Sequence, residues 1–446
     1  MSENRVRRQG LGLSTSRRSV LKYAAGGSVA AIGSIAVPGS ISAMVQARKA
    51  PFLSQGTEVS GKLKVLMYGE ATADESLHTA FKAAYPAVEL EVVGIPGGTW
   101  ATFADAVSTR VAGGESYDVV MIATEGQRLF AARGLVDPID DLLERDAGIL
   151  ADYFADVDPN LVNWCKTLSS PDGQTYYLPG DFNTVGVWVN LDLFAAAGLP
   201  EPDGEWTWDQ FKEAALALTK PGEVYGAIVE AGQFAGVMPW LLTNGATALN
   251  ADWTEATINS PAAIEAAQFA RSFVAEGISP EPGGEFDVWT SVAQGKLGMV
   301  FSGKWPTPAV VELEFLDHVK VVKSPHKVGP GSPVGWKSFP IMKGAKNREA
   351  AWAFSRFTSS PDASQFVLYE TPARRSIATS PEYLARSPKG AEIMYEALAY
   401  ATPVAGTAKG STIQQDIEDT WEQILIGNLE AEPALNDLNA KMQNNL

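Results

Sequence analysis

Residues 176–211 read YYLPGDFNTVGVWVNLDLFAAAGLPEPDGEWTWDQF. An extended run through Leu178 is broken by Pro179-Gly180, a β-branched strand follows at Val185–Val189, and a short helix over Leu191–Ala197 stops at Gly198. Beyond a Pro/Gly/acidic loop, Thr207-Trp208-Asp209-Gln210 has the spacing of a capping box and opens a second helix. Proline and glycine punctuate the run, and a β-branched strand continues on the far side, so it can carry the chain from one packed body into another. We read it as the first hinge strand between two lobes.

Upstream, Leu63–Met67 is a short strand ending at Tyr68-Gly69-Glu70, a helical spacing runs through Leu77, Phe81 and Ala84 to Pro86, and Val88–Val93 alternates as a second strand. This βαβ opening implies a parallel sheet, whose ligands gather beyond the strand C-termini. Tyr68 and Glu70 lie there, as do Thr124 and Glu125 after a strand expected over Asp118–Ile122. Downstream, Tyr225–Glu230 reads as a strand, Ser260-Pro261 starts a helix that Gly277 ends, and Asn347 caps another. Two amphipathic helices split by Gly427 close the chain.

A chain of 446 residues is too long for one ordinary core and suits two lobes. Its 46% hydrophobic and 20% charged residues describe a globular protein. Residues 1–47 hold six basic side chains and one acid, so removing them lowers the formal charge from -17 to -22. That charge repels phosphate backbones and anionic lipid heads, which argues against nucleic-acid or membrane-surface partners. Cys165 is the one cysteine, so no intrachain disulfide forms, and the three histidines lack metal-ligand spacing. Neither a metal nor a cofactor is expected.

Ser16-Arg17-Arg18-Ser19-Val20-Leu21-Lys22 resembles a twin-arginine export motif, with Val20 where Phe is common. A Gly/Ala/Ser-rich apolar run to Ala43 follows, with small residues after which cleavage is plausible at Ala43 or Ala47. An uncleaved anchor is the competing reading, against which the glycines and serines count. The mature chain is therefore expected outside the cytoplasm, in the periplasm or at the cell exterior.

The order of these features resembles the extracellular solute-binding proteins of ABC importers, family 1, the group containing the maltodextrin-binding proteins. The resemblance is carried by YxLPxD with VNLDLFAAAGL and TWDQF, by GLVDPIDDLL after Thr124-Glu125, by SVAQGKLGMVFSGKW at 291–305, and by TPARRSIATSPEYL at 371–384. It implies an α/β, two-lobe, type II periplasmic-binding-protein-like fold, each lobe a mixed, mostly parallel sheet flanked by helices and joined by hinge strands. It further implies a signal peptide at 1–47, an N-terminal lobe of 57–183 plus 339–396, and a C-terminal lobe of 184–338 plus 397–446. Ligand-binding residues implied by matching position are Tyr68, Glu70, Thr124, Glu125, Asp181, Trp240, Trp305, Trp336 and Arg375. Trp305 and Trp336 would stack on sugar rings, because an indole face packs on the C–H face of a pyranose. The carboxylates would accept from hydroxyls, and Arg375 could fork to vicinal hydroxyls or an anion.

The function implied is a monomeric, non-enzymatic clamp that captures a mono- or oligosaccharide and delivers it to an importer permease. Gly298 to Lys304 reads G-x-x-x-x-G-K, but Trp305 replaces the magnesium-ligating Ser/Thr and the glycine opens a strand, so nucleotide hydrolysis is rejected. A secreted glycoside hydrolase remains the rival from another class, since carboxylate pairs are common here, although neither H-E-x-x-H nor G-x-S-x-G occurs. Non-sugar solutes such as a glycerol-phosphate ester or a polyamine stay open as well.

Overall fold

The computed structural model describes residues 59–72, 74–284, 286–364 and 366–446. The export motif and the cleavage points lie outside them. Strand β1 (Gly61–Tyr68) pairs in parallel with β2 (Val88–Ile95) and with β3 (Val119–Val120), and α1 (Glu75–Ala84) makes the crossover. Leu63, Val65, Leu66 and Met67 are buried, as befits a central parallel strand covered on both faces, with Lys64 half-buried among them. The strand expected over Asp118–Ile122 is interrupted at Met121, where β3 ends and β4 (Ile122–Ala123) begins. Helix α2 (Trp100–Ala112) starts on a capping box made by Thr99 and Thr102, and α3 (Thr124–Ala132) leaves β4 without a loop.

The second sheet has β6 (Gly186–Asn190) at its centre, antiparallel to β7 (Met299–Ser302) and β8 (Val319–Val322). The expected strand Tyr225–Glu230 is reduced to two parallel bridges, Tyr225 to Leu297 and Ile228 to Val300. Its Gly226 lies against the Ala215 carbonyl, where an added Cβ would come within 1.8 Å, so this segment is pressed onto helix α5 (Trp208–Leu218). The parallel character expected of this sheet is thereby confined to its edge. Thr207 and Gln210 make the capping box as read.

Apolar side chains collect into separate cores. One contains β1, β3 and α1 residues with Trp336, Trp352 and Phe354; another contains Val187, Trp240, Phe301, Ile417 and Leu435, beside a smaller cluster around Trp188. Three segments run between them: β5 (Phe182–Thr184) into β6, β9 (Ser332–Ser338), and β10 (Ala401–Pro403). Strand β9 pairs antiparallel with β5 and β4 and parallel with β10, forming a small hinge sheet. Helix α6 (Met238–Thr243), helix α7 (Pro261–Ala275, capped by Ser260) and the C-terminal helices α8 (Gly410–Leu425) and α9 (Ala431–Gln443) enclose the second core. The result is a two-lobe α/β fold. No helix among the described residues is long and apolar enough to cross a membrane.

Candidate functional site

The sequence of the hinge sheet leaves one face open. Because strand side chains alternate, Asp181, Asn183, Gly335 and Lys337 share a face, while Phe182, Thr184 and Trp336 share the other. Phe234 lies over the sheet at Gly335, where an added Cβ would meet its ring at 3.4 Å, an ordinary contact. Phe234 belongs to a single π-helical turn, Gln233–Val237, a widening common at functional sites. Its ring centroid lies 6.0 Å from that of Trp305.

Trp305 is 40% exposed. It folds back over Gly303, where a Cβ would meet the indole at 2.2 Å, and the Asn183 side chain accepts from the Lys304 N–H at 2.8 Å. Lys304 itself is buried, its ammonium 3.9 Å from the Tyr383 ring centroid and bonded to the Tyr383 hydroxyl. Burial, with Arg386 nearby, lowers its pKa to about 7. Trp305 is thus an aromatic plate held at the hinge by a glycine and an asparagine.

Next to Phe234, Gln233 opens onto a cavity of about 560 Å³. Its walls come from both cores: Glu125, Ala101 and Trp164 from the first side, and Leu241, Trp253 and Gln414 from the second, with β10 between. The loop after β10 approaches α3 closely, since a Cβ on Gly406 would lie 2.5 Å from the Thr124 carbonyl. Ser411 at the start of α8 donates to Asp105 of α2 at 2.5 Å, so the two lobes touch beside the cavity.

Glu125 sits in the first turn of α3, where an acid is favoured by the helix dipole. Its Oε2 is nonetheless sealed from solvent with no hydrogen-bond partner among the described residues. Burial pushes its carboxyl up to about 7, offset in part by its own backbone N–H. Tyr68 is close enough that, after burial, Glu125 raises its phenol further. The Tyr68 ring stacks on Trp100 at 4.2 Å and its hydroxyl donates to the Gly98 carbonyl at 2.8 Å. Glu70 is exposed two residues beyond Tyr68.

Three of the expected ligand contacts, Trp240, Trp336 and Thr124, are corrected. Trp240 is 1% exposed and packed by Trp208, Phe211 and Phe301, which makes it a core residue of the second lobe. Trp336 is equally buried and stacked on Trp164 at 5.8 Å, so it offers no free face. Thr124 is buried too, its hydroxyl accepting from the Trp336 N–H at 2.9 Å and donating to the Trp336 carbonyl at 3.2 Å. Arg375 is exposed and pairs with Asp158 at 3.4 Å; like Tyr68, Glu70 and Trp305 it lines none of the cavities described.

Asp181 is on the open face of the hinge but already engaged. Lys337 lies 3.8 Å away and donates to Glu370 at 2.5 Å. Burial pushes the Asp181 carboxyl up to about 7 against the pull of Lys337, and Glu370 adds to the rise. Burial works against the Lys337 charge, yet Glu370 and Asp181 together hold its pKa above the usual lysine value. Asp181 lines a second recess of about 330 Å³ with Asp74 and Tyr369. The residues missed from sequence are Asn183, Gln233, Phe234, Trp164 and Trp253. Asn183 was within reach, being two positions from Asp181 on the same strand face.

A family model described as bacterial extracellular solute-binding protein matches residues 67–365. A binding protein of Brucella abortus (strain 2308) is 26% identical over 308 residues, covering 65% of this chain and 68% of that protein. Among solved structures, the ABC substrate-binding protein Lmo0181 of Listeria monocytogenes, in complex with cycloalternan, superposes with a TM-score of 0.76 at 22% identity, covering 86% of this chain and 99% of that one. A solute-binding protein of Thermotoga lettingae bound to α-D-tagatose gives 0.73 at 23%, covering 86% and 99%. Maltose-bound T. maritima MalE3 gives 0.73 at 19%, covering 86% and 100%.

Proposed function

The chain belongs to the bacterial extracellular solute-binding protein family, a family of binding proteins rather than enzymes, and from that premise we propose that it captures a neutral carbohydrate between its lobes and hands it to an ABC importer permease. The observation that carries the reading is the cavity beside the hinge, walled by both cores, with Glu125, whose Oε2 has no partner among the described residues, on one side and Gln233 on the other. Its volume of about 560 Å³ suits a small solute. A solute touching both lobes gains contacts only when they are closed, and so shifts the population toward closure. Reversing a 99:1 preference for the open form takes about 5.5 kcal/mol of differential binding, within reach of several hydrogen bonds and one stacked ring.

We assign Trp305 and Phe234 as apolar plates, Glu125, Gln233 and Asn183 as hydroxyl partners, and Tyr68 and Glu70 as rim contacts. Glu125 and Asp252 line the cavity and, among the described residues, no lysine or arginine does, which favours neutral sugars and alditols over sugar phosphates and glycerol-phosphate esters. The relatives bound to tagatose and maltose support a carbohydrate. The lobes we propose are 57–183 plus 339–396 and 184–338 plus 397–446, with export of the folded monomer by the twin-arginine route to the periplasm or exterior. A thermal-shift screen across neutral sugars, alditols, sugar phosphates and polyamines tests the reading, because a ligand of the folded form raises Tm by linkage. Neutral sugars should give the largest shifts; stabilisation by phosphates or polyamines alone would overturn it.

A further inference from the structure

Two tryptophans reach the same cavity from different cores. Trp164, on the helix Pro159–Thr167, packs one way against Trp336, with planes 16° apart, and otherwise lines the cavity. Trp253 packs on the second core and lines the cavity from the loop that follows Leu249. Its backbone is unusual: φ is +58°, a left-handed conformation that a bulky residue rarely adopts. Among the described residues the other positive-φ residue that is not glycine, Glu314, is exposed just past the end of a short helix, where such a turn is ordinary.

The loop around Trp253 is built to hold that conformation. The Trp253 N–H donates to the Asn250 carbonyl at 3.0 Å, and the Asn250 side chain accepts from the Thr254 N–H at 2.8 Å and the Glu255 N–H at 3.2 Å. Gln443 of α9 accepts from the Ala256 N–H at 2.9 Å, fastening the loop to the second core. Strain of this kind persists where the surroundings over-determine it, and it gathers at ligand clamps. A glycine would adopt this φ without the steric cost of a Cβ, and an indole stands there instead.

We infer that Trp164 and Trp253 form an aromatic seat for one ring of the solute, selecting a ring with an extended apolar C–H face, such as a pyranose, over an open-chain polyol. The inference rests on the cavity being the solute site. An indole from each lobe also makes ring stacking depend on closure, because only the closed form brings both to one ring.

The test uses the mature chain, with calorimetry on maltose, cellobiose, raffinose and ribitol, for wild type, Trp253→Gly, Trp253→Ala and Trp164→Phe. For the pyranose-containing sugar that binds wild type most tightly, Trp253→Gly and Trp253→Ala should each weaken binding at least tenfold. Both variants lose the packing of the indole, but Trp253→Gly should lower Tm less than Trp253→Ala, since glycine adopts the left-handed backbone without a Cβ. Trp164→Phe, which keeps an aromatic ring, should fall between. Wild-type affinity in both Trp253 variants, or a ribitol affinity that exceeds every pyranose sugar, would overturn the seat while leaving the binding function standing. A lowered Tm in Trp253→Gly with unchanged affinity would make the residue a packing element. Binding of none of the four probes would overturn both this inference and the proposed function.

Discussion

Glu125 and Asp181 are buried carboxyls that burial pushes up to about 7, yet the two regions that hold them are built for different ends. Around Asp181 a cation is already in place, Lys337 lying between it and Glu370 as the shared partner of both acids, and little is left for a ligand to satisfy. Around Glu125 nothing answers the sealed Oε2, and a cavity walled by both lobes lies beside it. A shifted pKa by itself does not mark a binding site. The company of the group does: a buried acid with a lysine is a fastening, and a buried acid facing an empty volume lacks only its partner.

The largest effect should come from breaking the side that already holds its cation. Lys337→Met leaves Asp181 and Glu370 buried without their cation, and should cost about 3–5 kcal/mol in urea unfolding at pH 8. A loss under about 1 kcal/mol would mean the cluster is not a fastening. On the other side, Glu125 has a folded-state pKa above its unfolded value. Its contribution is fully present below about pH 4.5 and is lost as pH rises through about 7. Glu125→Gln mimics the protonated form, so it should flatten that part of the stability profile and be about 2 kcal/mol more stable than wild type at pH 8. An unchanged profile would show that Glu125 is solvated.

The hinge was legible because proline, glycine and β-branched residues announce it locally, and the Thr207 capping box and the first βαβ unit followed from spacing alone. Which tryptophans face a ligand was not legible. Trp240 and Trp305 both stand in segments that reach the cleft, but one is enclosed by rings from three other elements and the other lies over a glycine, and such enclosure depends on tertiary packing. Likewise Thr124 is a plausible cleft hydroxyl until the distant Trp336 backbone claims it. Trp253 gave no signal, because its importance lies in a backbone conformation that the neighbouring Asn250 imposes.

Smaller effects sharpen the contrast. Trp305→Ala should weaken sugar binding at least tenfold, about 1.4 kcal/mol, with little change in Tm because the ring is 40% exposed. Unchanged affinity in calorimetry would remove Trp305 from the site. Thr124→Val should cost about 1 kcal/mol in stability by leaving the buried Trp336 N–H without its acceptor, while affinity changes little. A loss of affinity without loss of stability would return Thr124 to the ligand.

The most direct test is a crystal structure grown with the neutral sugar that gives the largest thermal shift. The sugar should lie in the cavity beside the hinge, within hydrogen-bond distance of Glu125 from one lobe and of Gln233 from the other. A sugar seated in the Asp181 recess, or touching one lobe alone, would contradict the account.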